Sequence, residues 1–277
     1  MQVLSTDLYY QERNKGLQEK IKRLDQKPSL STIRIGNDSG SSSYEKGLRS
    51  QADSLGLKLN SYSFPDSISL EDIESLLATE NANQATDGIL IFKPLPPQWD
   101  ENDLLNQIDP MKDVDGCTAL NFSSLLNTDD EKHLPATAQA IFEYLKTITE
   151  LAGKSILIIN RSKTIGIPLF HLLLNADATV TVAHSKTKDL NAILADYDII
   201  ISAMGRAKAL KADHLKKGAI LLDIGISLDE EGKLSGDIDT TYLTEKEVFY
   251  LPPLAGIGKI TRTILYENTY LSYKRRK

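Results

Sequence analysis

Leu8, Leu17, Ile21 and Leu24 recur near helical spacing and predict an amphipathic helix over residues 7–24. A short strand at 31–35 ends at Gly36, and the polar stretch 36–43 reads as a loop into a helix over 44–55 that Gly56 stops. A second strand spans 59–64 and a second core helix 70–82. Residues 87–92, Asp-Gly-Ile-Leu-Ile-Phe, form a third, buried strand that breaks at Pro94, Pro96 and Pro97. Strands alternating with helices of about ten or more residues imply a parallel sheet.

A boundary is expected near 121–135, where 127–132 (Asn-Thr-Asp-Asp-Glu-Lys) is polar throughout. A helix over 135–151 follows, then four apolar strands at 155–159, 179–183, 198–202 and 219–226. Their nearly unbroken apolar character says that helices cover both faces, as in a doubly wound sheet. A fifth strand at 248–251 and a long helix over about 259–273 complete the pattern.

Composition narrows the function classes. The 277 residues suit two domains of ordinary size, and 41% hydrophobic with 25% charged residues is the balance of a soluble globular protein. The single Cys117 excludes an internal disulfide, and four scattered histidines offer no zinc spacing. A net charge of −6 argues against a nucleic-acid groove. The basic end, Lys274 to Lys277, is read as a solvated helix terminus. The polar, charged opening residues predict no secretory signal, and no apolar run suits a membrane span, so the expected location is cytoplasmic, with no membrane partner.

Candidate chemistry sits after the strand at 155–159. Asn160-Arg161-Ser162-Lys163-Thr164-Ile165-Gly166 is the polar turn that precedes a helix, where free N–H groups can hold a pyrophosphate. The Gly-x-Gly-x-x-Gly fingerprint is missing and only Gly166 is placed to let the helix pack closely; by spacing alone an ordinary βα turn fits equally well. The next strand ends in Ala183-His184-Ser185-Lys186-Thr187, without the carboxylate that would hold a free ribose 2′-hydroxyl. Arg161, Ser185 and Lys186 then make a candidate 2′-phosphate pocket, the competing reading being a polar loop with chance cations. The expected cofactor is NADP.

Taken in order, Ser41-x-x-Tyr44, Asp87-Gly88-Ile89-Leu90, Pro94-Leu95-Pro96, Lys112-Asp113-Val114-Asp115-Gly116, Arg161-Ser162-x-x-Ile165-Gly166-x-Pro168, Asp223-Ile224-Gly225-Ile226 and Gly236-Asp237 resemble the FolD family of methylenetetrahydrofolate dehydrogenase/methenyltetrahydrofolate cyclohydrolases over nearly the whole chain. The resemblance implies a two-domain α/β fold: an N-terminal three-layer folate-type domain (1–121, completed by 259–277) and a Rossmann-like, doubly wound dinucleotide domain (135–255). It implies a small-molecule folate substrate and a homodimer formed through the dinucleotide domains. It assigns Tyr44 and Asp115 to catalysis and substrate binding, Pro252 and Gly256 to the substrate, and Arg161, Ser162, Gly166, Ser185, Gly205 and Ile226 to the cofactor.

The departures bear on the chemistry. The family's lysine, one helical turn after the tyrosine, is Leu48 here, and its strand glutamine is Phe92, followed by Lys93. Neither leucine nor phenylalanine moves a proton, so the cyclohydrolase step is expected to be severely weakened; a positioned acid or base typically contributes about 10²–10⁴ to such a step. Hydride transfer depends less on side-chain protons and is expected to survive. A FolD-like protein redirected to ligand binding without turnover is the alternative. Lys93, the nearest substitute by sequence, is expected on the face opposite Phe92 by strand alternation, unless the prolines turn it back.

Overall fold

The computed structural model describes residues 1–127 and 132–277; the polar run expected at the boundary, 127–132, lies partly outside them. Along the chain come β1 (Gln2–Val3), α1 (Asp7–Lys22), β2 (Ser29–Ile35), α2 (Ser39–Leu55), β3 (Lys58–Phe64), α3 (Leu70–Ala82), β4 (Gly88–Ile91), α4 (Glu101–Leu105), α5 (Ala119–Asn127) and α6 (Ala136–Ile148). There follow β5 (Ser155–Ile159), α7 (Gly166–Leu174), β6 (Thr179–Ala183), α8 (Leu190–Ile193), β7 (Ile199–Ser202), β8 (Ile220–Asp223), β9 (Ser227–Leu228), β10 (Leu234–Ser235), β11 (Phe249–Leu251) and α9 (Ile257–Arg276). None of the described helices is long and apolar enough to cross a membrane.

The chain divides into two units. One holds residues 11–136 and 261–277 and is built on the parallel sheet β3-β2-β4. Helix α2 begins five residues earlier than the apolar pattern suggests, because Asp38 caps it: its Oδ2 accepts from the Ser41 N–H at 2.7 Å. Gly56 ends the helix at φ +79°, a conformation that favours glycine. Ser69 caps α3 in the same way, accepting from the Asp72 N–H at 3.1 Å. Ile33, Ile73, Leu77 and Ile89 close the core without exposure, each stabilising the fold by about 2 kcal/mol. The basic terminus is not wholly solvated as expected: Arg276 turns back, and its Nε and Nη2 donate to Asp87 Oδ1 at 2.9 and 2.8 Å.

The other unit holds residues 1–10 and 137–260, around a six-stranded sheet in the order β1-β11-β8-β7-β5-β6 whose neighbours are all parallel. Its central strands β5 and β7 are buried almost end to end, which explains their continuous apolar character. The first ten residues group with this unit by contact, and Gln2 and Val3 pair with Phe249 and Tyr250. Helices α4 and α5 also went unpredicted; the segment expected as a linker is helical through Asn127.

Candidate active site

Strand β5 delivers Asn160, whose side chain organises the turn that follows. Its Oδ1 accepts from the N–H groups of Ser162 and Gly166 at 2.7 and 3.1 Å, and its Nδ2 donates to the Ala203 carbonyl at 2.6 Å. Gly166 is required here: a Cβ would lie 2.1 Å from the Asn160 carbonyl oxygen. The expectation of free amides at the start of α7 fails. The Gly166 N–H is taken by Asn160, the Ile167 N–H by the Ser162 carbonyl at 3.0 Å, and position 168 is proline.

A pocket of about 400 Å³ opens beside this turn, lined among others by Arg161, Ser162, His184, Ser185, Thr187 and Arg206. Two guanidinium-bearing residues and three hydroxyls suit a phosphate ester. Arg206 comes from the loop after β7, which Asp237 holds from beneath: the carboxylate accepts from Ser202 Oγ at 2.7 Å and from the N–H groups of Met204 and Arg206 at 2.6 and 2.8 Å. Asp223 supports Asp237 in turn, accepting from the Asp237 and Ile238 N–H groups at 2.9 and 3.0 Å, and burial pushes its carboxyl up to about 6. Gly225 and Gly236 are forced by this pair, since a Cβ at either would lie 2.2 or 2.1 Å from a carboxylate oxygen.

The other unit carries a second cluster. Tyr44 on α2 meets Phe92 edge-on, with centroids 6.2 Å apart and an interplanar angle of 81°. Burial raises the Tyr44 phenol well above its ordinary value, and the nearby Asp115 carboxylate adds to that. Burial likewise pushes Asp115 up to about 6, although Cys117 Sγ donates to its Oδ2 at 3.1 Å. Leu48 has no exposure and its carbonyl accepts from the Tyr266 hydroxyl at 2.7 Å, so the position belongs to the core.

Strand alternation does not decide the face that Lys93 takes. Strand β4 ends at Ile91, so alternation no longer governs it; its Nζ meets Glu101 Oε1 at 2.5 Å. Burial opposes the ammonium, but Cys117, Glu101 and Asp115 together hold its pKa above the ordinary lysine value.

Residues 4–115 match the tetrahydrofolate dehydrogenase/cyclohydrolase catalytic domain, and residues 135–277 match the NAD(P)-binding domain of the same enzymes. The chain belongs to the tetrahydrofolate dehydrogenase/cyclohydrolase family. It is 38% identical to the bifunctional protein FolD of Bacillus licheniformis, over 93% of this chain and 90% of that one. Among solved structures it resembles the bifunctional FolD enzyme of Campylobacter jejuni at 33% identity and a TM-score of 0.94, covering 100% of both chains. The Trypanosoma brucei FolD, solved with NADP cofactor and an inhibitor, matches at 30% identity and a TM-score of 0.91, over 99% of this chain and 97% of that chain.

Of the cofactor residues that family resemblance suggested, Arg161, Ser162 and Ser185 share the 400 Å³ pocket, with Gly166 behind it. Gly205 and Ile226 do not line it; Gly205, at φ +65°, lines a neighbouring surface pocket with Lys208 and Asp229. Tyr44, Asp115 and Phe92 come together in the catalytic-domain unit. Pro252 and Gly256 belong to the other unit, in a turn after β11 where Gly256 adopts φ +114°. Sequence reasoning missed Arg206 and Asn160, which carry no motif of their own, and Asp237 as the residue that holds the loop after β7.

Proposed function

We propose that this protein is an NADP-dependent 5,10-methylenetetrahydrofolate dehydrogenase whose methenyl-hydrolysing activity is weak. The observation that carries this reading is that the Tyr44–Asp115 pair, in a catalytic domain of this family, has the hydrocarbon Phe92 against Tyr44, while Leu48, one turn along α2, is buried in the core.

Tyr44 offers an aromatic face to the substrate's ring system, and the Asp115 carboxylate accepts the pterin's amino and ring N–H donors. Bound NADP supplies the acceptor for the hydride that leaves the methylene carbon. That transfer asks position and exclusion of water from the protein and no side-chain proton. Hydrolysis of the resulting methenyl group does need proton transfers, and neither Leu48 nor Phe92 provides them. Support for NADP over NAD comes from Arg161, Ser185 and Arg206 in the pocket, with no carboxylate among its lining residues, and from the NADP held by the Trypanosoma brucei relative.

The reading takes the protein as a cytoplasmic homodimer. Leu228 and Leu234 face each other across the β9–β10 ribbon, 64% and 59% exposed, an apolar pair that a second copy would cover. Light scattering should return a dimer mass.

The deciding assay mixes purified protein, methylenetetrahydrofolate and NADP and follows reduced cofactor and methenyl product together. Methenyl accumulating in step with reduced cofactor is the expected result. NADP binding without any reduction would instead indicate a redirected, non-catalytic relative.

A further inference from the structure

Helix α2 presents Tyr44, Gly47 and Gln51 along one face, and α9 lays Arg262 across it. The guanidinium carbon lies 5.6 Å from the Tyr44 ring centroid. The guanidinium rests directly on the α2 backbone: a Cβ at position 47 would come within 2.9 Å of Arg262 Nη1 and 3.0 Å of its Cζ. Glycine is disfavoured in the middle of a helix, so its presence here has to be explained by what it makes room for.

The arginine is aimed as well as accommodated. Its Nε donates to Gln51 Oε1 at 3.2 Å. The orientation of that amide is fixed from the other end, where Gln51 Nε2 donates to Thr263 Oγ1 at 2.7 Å and to Asn14 Oδ1 at 2.9 Å. Phe92 then holds the Tyr44 ring edge-on at 6.2 Å. The ring is gripped by a cation and a second aromatic group, and such a cation–π contact strengthens as its surroundings lose water.

We propose that Arg262 is a positioning residue of the folate site: seated in the notch that Gly47 leaves in α2, its guanidinium fixes the Tyr44 ring against which the folate packs. The inference rests on the folate reading above.

The test compares Arg262→Met, Arg262→Lys and Gly47→Ala by KM for methylenetetrahydrofolate, kcat, Kd for NADP and thermal melting. Arg262→Met should raise the folate KM about 2- to 30-fold, the range of such contacts, with kcat and NADP affinity little changed. Arg262→Lys should recover part of that loss. Gly47→Ala is the discriminating variant. Alanine favours the helix, and the flexible arginine moves aside cheaply, so the protein should melt no lower while its folate KM rises as in Arg262→Met. The Gly47→Ala/Arg262→Met double variant should lose nothing further. Unchanged folate KM in folded Gly47→Ala or Arg262→Met would overturn the inference alone. Failure of the unaltered protein to bind any reduced folate would overturn the folate reading, and the clamp's role with it.

Discussion

Asp237→Asn tests whether one buried carboxylate shapes the cofactor pocket. The substitution keeps the volume but changes one oxygen to an amide nitrogen. Asp237 has no exposure, and its Oδ2 receives two donors while Oδ1 receives the Arg206 N–H at 2.8 Å. An asparagine that keeps its oxygen toward Ser202 and Met204 must set its NH₂ against the Arg206 N–H, donor against donor. A hydrogen bond to a charged group is worth about 1.5–3 kcal/mol, and an orphaned buried amide costs a similar amount. Arg206 is exposed, so water satisfies part of the loss. A net penalty of about 1–2 kcal/mol remains, which corresponds to a 5- to 30-fold weaker NADP Kd if the pocket is held only in the ordered loop. Calorimetric titration should find that weakening for NADP while reduced-folate affinity stays put, because Asp237 lies in the NAD(P)-binding unit. An unchanged NADP Kd in well-folded Asp237→Asn would refute the argument that this carboxylate positions Met204 and Arg206 for the cofactor.

Three further outcomes follow from the geometry. The Asp115 carboxyl is raised to about 6, and the pterin's donors need its ionised form, so folate affinity should be full above that pH and fall about tenfold per unit below it; Asp115→Asn should bind weakly at every pH and lose the slope in a titration series. Gly166→Ala places a methyl 2.1 Å from the Asn160 carbonyl oxygen and should destabilise the fold by about 1–3 kcal/mol and weaken NADP binding, both readable by melting with and without cofactor. Leu48→Lys with Phe92→Gln returns an ionisable group and an amide to the site and should raise methenyl hydrolysis at least about tenfold, with a lower Tm because position 48 is fully buried; no gain in a folded, folate-binding variant would show that more than these two side chains separates this protein from hydrolysis.

What the sequence revealed follows from the range of the forces involved. The Rossmann-type strands β5 and β7 were legible because burial on both faces leaves a continuous apolar signature in a few adjacent residues. The start of α2 was not, because Ser-Gly-Ser-Ser-Ser has poor helix propensity and the segment is helical through the Asp38 cap and the packing beyond it. Helix α5 was hidden in the same way: its Ala119 N–H is satisfied by Asn106 Oδ1 at 2.7 Å, a partner thirteen positions back that no local pattern records. The site shows the same division more sharply. The order of short motifs pointed to Tyr44, Asp115, Arg161 and Ser185 as candidates, but the residues packed around these are brought in from far along the chain. Asp237 lies 33 positions from the Met204 amide it fixes, and Arg262 sits on Tyr44 from the opposite end of the sequence. Even the face of Lys93 could not be read locally: whether alternation applies depends on where β4 stops, and it stops at Ile91, with its ladder set by pairing to β2. Leu48 in the core and Arg262 in the Gly47 notch are both matters of packing on α2, which no short motif records. A lysine placed at position 48 supplies a functional group without surroundings built to position it, and for that reason the Leu48→Lys/Phe92→Gln variant, rather than the family motif, measures whether this fold supports methenyl hydrolysis.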